Sequence, residues 1–485
     1  MKRKQTKKVV VGTLGVVGLA GIVISSMIGG GIFSLPQNMA QSASVGAVIL
    51  AWLITGLGIY FIANTFRILS DVKPDLTGGI YMYARSGFGP YMGFNIGWSY
   101  WLCQIFGNVG YAVITMDALN YFYPGVFAGG NNLASIIGGS VLIWFFNYLV
   151  LRGVKQATQI NLIATIAKII PLILFIIIMF FVFNIDKFDF DFWGKLQHAK
   201  LGSIGAQIKN TMLVTLWSFI GIEGAVVLSG RAKSQSDVGK ATVLGFLGCL
   251  TIYVLLSVIP FGFMTQSALA NVPNPSTAGV LQAVVGKWGA WMMNIGLIIA
   301  VLASWLSWTM ITAQMPQSIA QQGDFPKAFK TENKVGAPST SLWITSALMQ
   351  LAMLLVYFSH NAWNTMLSIT GVMVLPAYLM SCLYLWKICE DGEFNTKAGI
   401  SRWSALLTGI IGSAYAIWLI YAAGLEYLLM AVVLIALGLP VYVCAKREQG
   451  ITGRVFSCKE RMLAFGLIAV SFVAIYAFYR GIIQI

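Results

Sequence analysis

Charge is scarce in this chain. Only 10% of its 485 residues are charged and 58% are hydrophobic, where a soluble globular domain carries about 25% charged residues. So few charges cannot cover a soluble surface. Histidine is scarcer still, at two residues; His198 and His360 both fall in segments expected outside, which argues against a histidine relay across a membrane. The six cysteines (Cys103, Cys249, Cys382, Cys389, Cys444 and Cys458) form no C-x-x-C pair. Most lie in or near apolar runs and read as reduced, buried thiols. No phosphate-binding loop is present, which argues against an ATP-driven pump. Neither H-E-x-x-H nor G-x-S-x-G occurs and no paired intramembrane acids suggest hydrolysis, so the chain does not read as an enzyme. No cofactor or metal is implied, and nothing in the chain speaks to its oligomeric state.

What is abundant is apolar sequence in runs of about 20 residues, the length that crosses hydrocarbon. The runs lack strict alternation, so helices rather than a barrel are expected. Thirteen spans are expected, near 10–34, 44–69, 91–118, 131–151, 158–183, 206–229, 241–265, 288–314, 340–359, 363–387, 403–423, 427–445 and 461–480.

The net charge of +15 could suggest nucleic acid, but the basic residues sit in short loops between spans, where they set orientation. Lys2, Arg3, Lys4, Lys7 and Lys8 read as a cytoplasmic flank at 1–9, followed by an uncleaved first helix. The inward loops then carry Lys73 and Arg85; Arg152 and Lys155; Arg231, Lys233 and Lys240; Lys327, Lys330 and Lys334; Lys397 and Arg402; and Lys446, Arg447, Arg454 and Lys459. The outward loops 35–43, 119–130 and 266–286 carry no charged residue. One missed span would invert every later loop, so this asymmetry supports an odd count, an inside N-terminus and an outside C-terminus.

Two spans are interrupted. Span 1 holds Gly29-Gly30-Gly31 near mid-depth, and each glycine weakens a helix by about 1 kcal/mol relative to alanine. Unwound backbone at that depth is tolerated only in a cavity or buried in protein. Taken alone the run is equally a helix-packing motif. Span 6 reads Trp217-Ser218-Phe219-Ile220-Gly221-Ile222-Glu223-Gly224-Ala225, with glycines flanking the one carboxylate placed deep in a span. A charge there costs about 2.5–3.5 kcal/mol on insertion scales, so its default reading is functional. Five spans separate the breaks, and an odd offset inverts the second unit, as in transporters with inverted repeats. A channel fits two offset breaks less well than a closed midplane site does.

These residues, with Ser34-Leu35-Pro36, the Lys73–Ala84 loop, Gly107-Asn108 and Ser307-Trp308-Thr309, resemble the basic amino acid/polyamine antiporters of the amino acid–polyamine–organocation superfamily. The resemblance covers nearly the whole chain. Arginine/ornithine antiporters look most similar, with histidine/histamine and arginine/agmatine exchangers also similar. The resemblance implies an all-α polytopic LeuT-like fold with discontinuous helices 1 and 6. Its five-helix repeats are 10–183 and 206–387, joined by an outer loop at 184–205, with three further helices in 388–485. It implies exchange of an external amino acid, cationic and arginine by type, for an internal product, ornithine or a decarboxylated amine, by alternating access across a cell membrane, bacterial by type. The partners are then small substrates and lipid, not nucleic acid. Proton-coupled uptake by the same fold remains an alternative.

Carried over residue by residue, Gly30 and Gly31 would meet the substrate carboxylate, and carbonyls of Met27, Trp217 and Ile220 its amine. Asn108 would contact the substrate, with Cys103, Gln104 and Tyr111 nearby. Trp217 and Trp308 would flank its side chain, since aromatic faces hold a desolvated cation by about 2 kcal/mol or more. Each has a blander reading: interfacial tryptophan, or for Asn108 an interhelical hydrogen bond. Ser368 and Thr370 fall at the family's polar position in span 10, but Pro376-Ala377-Tyr378 carries its tyrosine one place late, which leaves their register open. Glu223 would couple the broken helix to a gate. Lys168, deep in span 5, would bridge spans 1, 5 and 8, either as a fixed charge or as a proton carrier; the fixed charge is preferred.

Overall fold

The computed structural model describes residues 15–76, 79–153, 157–196, 198–223, 235–359, 361–394 and 399–483. The basic flank, Thr77, Gly78, Lys155, Gly224, Ala225, Arg231, Lys233, His360 and Lys397 lie outside these residues, as does the side chain of His198.

Every expected span has a helical counterpart. Span 1 is Val16–Met27 followed by a 3-10 turn at Gly30–Ser34 and a helix at Leu35–Ala40, with a 50° bend between its two halves. Span 2 is Val45–Val72, span 3 Pro90–Asn120, span 4 Leu133–Leu151 and span 5 Ala157–Phe181. Span 6 is Ile204–Ser218, span 7 Gln235–Val258 and span 8 Lys287–Gln321. Spans 9, 10 and 11 are Ser339–Val356, Ala362–Glu390 and Arg402–Ala422. Span 12 is Leu425–Glu448 and span 13 Cys458–Tyr479. Among the described residues, ten helices are long and apolar enough to cross a membrane, eleven with the bent pair. Spans 5 and 6 complete the thirteen, span 6 being short because it ends at its break.

Local chemistry fixes several starts. The Asn132, Ser203 and Asn361 side chains accept N–H bonds from the first turns of spans 4, 6 and 10. Ser457 and Glu460 form a reciprocal capping box on span 13. The Lys73–Ala84 stretch, expected as a loop, folds from Ile80 into a helix reaching Phe88. Gly89 then turns the chain into span 3 at φ 94°, a conformation glycine adopts without a Cβ penalty. The outer loop 266–286 likewise carries two short helices, Gln266–Ala270 and Ser276–Val285.

The helix pairings have an internal symmetry. Span 1 packs on 7 as span 6 packs on 2, and span 5 packs on 8 as span 10 packs on 3; pairs 2–7, 3–8 and 4–9 map onto themselves. A shift of five spans therefore preserves the contacts, which is the arrangement of a LeuT-like inverted repeat. Spans 3 and 10 are the most enclosed, 78% and 72% buried over their apolar windows, whereas spans 12 and 13 are 22% and 17%. The centre of the molecule therefore lies between spans 3 and 10, and the last two helices present Phe465, Phe472 and Val473 outward.

The basic loops gather at one end. Asp324, fully buried after span 8, accepts from Tyr81 (2.6 Å), Arg85 (2.7 Å) and Lys446 (2.6 Å). Lys73 pairs with Glu393 at 2.9 Å, and that hydrogen bond holds the Glu393 carboxyl below its ordinary range. The charge-poor loops meet at the opposite end, where Gln266 donates to the Ala40 carbonyl (2.6 Å) and Asn131 to that of Ser359 (2.7 Å). Cys103, Cys249, Cys382 and Cys389 are buried free thiols; Cys444 and Cys458 are exposed.

Candidate functional site

The two breaks face each other. Span 1 stops at Met27, and Ile28 and Gly29 are non-helical before the turn at Gly30. Span 6 stops at Ser218, and Gly221 adopts φ 107°. An added Cβ on Gly221 would lie 2.8 Å from the Ser26 carbonyl, so the approach admits only glycine. The Ser26 hydroxyl donates to the Gly221 carbonyl at 2.8 Å, joining the two breaks directly.

Glu223 locks this junction. Its carboxylate accepts from the Gly221 N–H (3.1 Å), from Tyr378 of span 10 (2.9 Å) and from Tyr100 of span 3. A buried carboxylate is tolerated where donors satisfy its oxygens. Tyr378 therefore faces the acid despite its displaced position in the sequence, and this sets the register of span 10.

Lys168 is fully buried. Its ammonium donates to the Ser25 carbonyl (2.6 Å) and hydroxyl (3.1 Å), and to the Ser304 hydroxyl (3.4 Å). Three donors meet three neutral oxygens, and the contacts tie span 5 to spans 1 and 8.

Between the breaks lies a small cavity of about 40 Å³. Nine of the expected residues line it: Met27, Cys103, Gln104, Asn108, Tyr111, Trp217, Ile220, Trp308 and Thr370. Ser26, Gly29 and Gly107 line it as well. Its wall holds polar atoms without partners among the described residues: both amide atoms of Gln104, Asn108 Oδ1 and Thr370 Oγ1. Buried polar groups are nearly always hydrogen-bonded, so such a cluster in one cavity is fitted to a polar ligand. Asn108 also makes the bland contact, donating to Thr312 at 3.2 Å, so both of its readings coexist.

Three expected residues stand apart from the wall. A Cβ on Gly30 would meet Val301 and Ile114, and one on Gly31 would fall 1.8 Å from the Trp217 ring and 2.9 Å from Trp363. Gly31 thus lets Trp217 lie against the broken backbone. Ser368 lines a different cleft, at the charge-poor end, two residues from Thr370 and so on another face of span 10. Trp363 was missed by sequence reasoning. It packs edge-on against Trp217, with centroids 5.5 Å apart and an interplanar angle of 83°. Its place at the start of a span makes it look like an interfacial tryptophan, and only the packing shows otherwise. The hydroxyls of Ser304 and Thr312 carried no signal at all.

A multi-pass membrane protein with two facing broken helices and, between them, a largely apolar cavity with a few unpartnered polar atoms is a secondary transporter by architecture. The amino acid permease family matches residues 14–445, and the chain belongs to that family, in agreement with the resemblance its motifs carry. The arginine/agmatine antiporter of Chlamydia pneumoniae is 62% identical over 477 residues, covering 97% of this chain and 98% of that protein. Proteins of the same name from Chlamydia abortus and Chlamydia caviae are 61% and 59% identical, over 96% and 99% of this chain and 96% and 98% of theirs.

Proposed function

We propose that this chain exchanges external arginine for internal agmatine, with the basic end in the cytoplasm of a bacterial cell. The observation that carries this reading is the cavity between the breaks, walled by Trp217 and Trp308 and by amide and hydroxyl atoms unpartnered among the described residues. The relatives' name agrees with one of the exchanges that the motifs suggest. Arginine and agmatine share a guanidinium, which suits aromatic faces and the Gln104, Asn108 and Thr370 acceptors.

The rest of arginine fits the breaks. Gly30 and Gly31 open a new helical turn, so no carbonyl precedes them within it to accept their N–H groups, and a half-helix start suits a carboxylate. The Met27 and Trp217 carbonyls each accept one N–H, from Gly29 at 2.9 Å and Ile220 at 3.2 Å. Each keeps a second lone pair for the α-amine, and Ile220 adds a third carbonyl. Glu223 holds the span 6 break against spans 3 and 10, so movement at the gate is felt at the cavity. Lys168 acts as a fixed cation tethering span 1.

The exchange has an electrical signature. Arginine enters with one positive charge and agmatine leaves with two, so each cycle exports one charge, whereas exchange for ornithine exports none. An inside-negative potential of 100 mV opposes the agmatine cycle by about 2.3 kcal/mol. In proteoliposomes loaded with agmatine, ornithine or histamine, or left empty, uptake of labelled arginine should be fastest against agmatine and fall under inside-negative potential. Equal uptake into empty vesicles would overturn exchange. Uptake fastest against ornithine and indifferent to potential would move the reading to that counter-substrate.

A further inference from the structure

The outer cleft that takes Ser368 has chemistry of its own. It lies between the helix after the span 1 break, residues 209–214 of span 6, residues 364–368 of span 10, and the turn joining spans 11 and 12, with a volume of about 470 Å³. Lys209 and Glu426 both line it, and neither has an ion-pair partner among the described residues. The Lys209 ammonium is held 5.0 Å from the centre of the Tyr421 ring. Asn38, 3% exposed, lines the same cleft with both amide atoms unpartnered.

The cleft stands directly above the central cavity. Asn210 and Trp217 belong to the same helix and line the cleft and the cavity respectively. Seven residues at 1.5 Å each put them about 10 Å apart along the axis. On span 10, Ser368 and Thr370 divide in the same way.

We propose that this cleft is a second, outer recognition site for a cationic amino acid, built to hold the carboxylate at Lys209 and the side-chain cation at Glu426, with Asn38 and Ser368 between. The proposal rests on the arginine reading for its ligand. It also places a charge-based selection at the entry, ahead of the central cavity. A substrate with a carboxylate satisfies Lys209, whereas a diamine without one sets a cation against it. The cleft therefore favours entry of the amino acid and loss of the released amine.

The test is homoexchange of labelled arginine in proteoliposomes of known orientation, with KM measured from each face. Glu426→Gln and Lys209→Gln should raise the outer KM for arginine about two- to fivefold, the scale of an exposed ion pair. The inner KM and maximal rate should stay unchanged, as should every parameter of Lys287→Gln, a basic residue outside the cleft. In Lys209→Gln, external agmatine should compete better against arginine than in the wild type. An outer KM unchanged in both variants, or a rise equal at both faces, would overturn the proposal. Absence of arginine exchange in the wild type would instead count against the transport reading. The cleft is then judged by equilibrium binding of labelled arginine to the purified protein: weaker binding in Glu426→Gln supports it, and equal binding overturns it.

Discussion

Gly31→Ala should disable transport without disturbing the rest of the fold. The added methyl would lie 1.8 Å from the Trp217 ring. Returning to the 3.4 Å edge of ordinary contact requires the indole to move about 1.6 Å. Trp363, packed edge-on at 5.5 Å, blocks one direction, and a Cβ on Gly31 already meets it at 2.9 Å. The open direction is the central cavity, so the indole is driven into the substrate's space. Overpacking of this kind costs about 1–3 kcal/mol, roughly a 5- to 150-fold loss in arginine affinity. Counterflow into arginine-loaded proteoliposomes reads the rate, and equilibrium binding to purified protein reads the affinity. Gly248→Ala is the control, because its Cβ would meet its nearest neighbour at 3.9 Å. Gly31→Ala combined with Trp217→Leu should recover protein stability without recovering affinity, since the methyl then has room but the aromatic face is gone. Wild-type binding in Gly31→Ala would refute the packing of Trp217 against the break.

Two further outcomes follow from buried charges. Lys168→Met removes the donor to the Ser25 carbonyl and hydroxyl and to the Ser304 hydroxyl, at about 1–3 kcal/mol, and should slow exchange at least fivefold, while wild-type exchange stays insensitive to an imposed pH gradient. A gradient dependence that vanishes in Lys168→Met would instead make the lysine a proton carrier. At the basic end, Asp324→Asn leaves Lys446, whose side chain is 9% exposed, facing a neutral amide. Loss of a buried pair costs about 3–5 kcal/mol, so thermal unfolding in detergent should shift down clearly. Adding Lys446→Met should restore part of the loss, and strict additivity would argue against the pairing.

The spans and breaks were legible because lipid imposes length and composition on every crossing helix, and because three glycines in a row contradict a helix wherever they occur. Nine cavity residues followed from motif position. What the sequence left dark has one physical character: contacts made across spans by residues whose types are ordinary on their own helix. Trp363 looks like any interfacial tryptophan, Ser304 and Thr312 like small residues in a helix, and Asp324 like a loop acid. Each matters through a partner 122 to 243 residues away in sequence, a separation that hydropathy does not register.

Tyr378 and Ser368 carry this argument further. Read against its family pattern, the tyrosine is one place late, and that displacement clouded the register of the whole helix. In the structure its hydroxyl lies 2.9 Å from Glu223, and the same register turns Thr370 into the central cavity and Ser368 outward. An exchanger must admit a substrate from outside before the central site can hold it, so a polar face leading to that site is useful as well as permitted. On the proposed reading, the span 10 helix serves two binding surfaces from different faces, Thr370 at the central cavity and Ser368 at the cleft. Gly31 is what lets Trp217 lie against the span 1 break, and Trp363 packs edge-on against that ring from the start of the same span 10 helix.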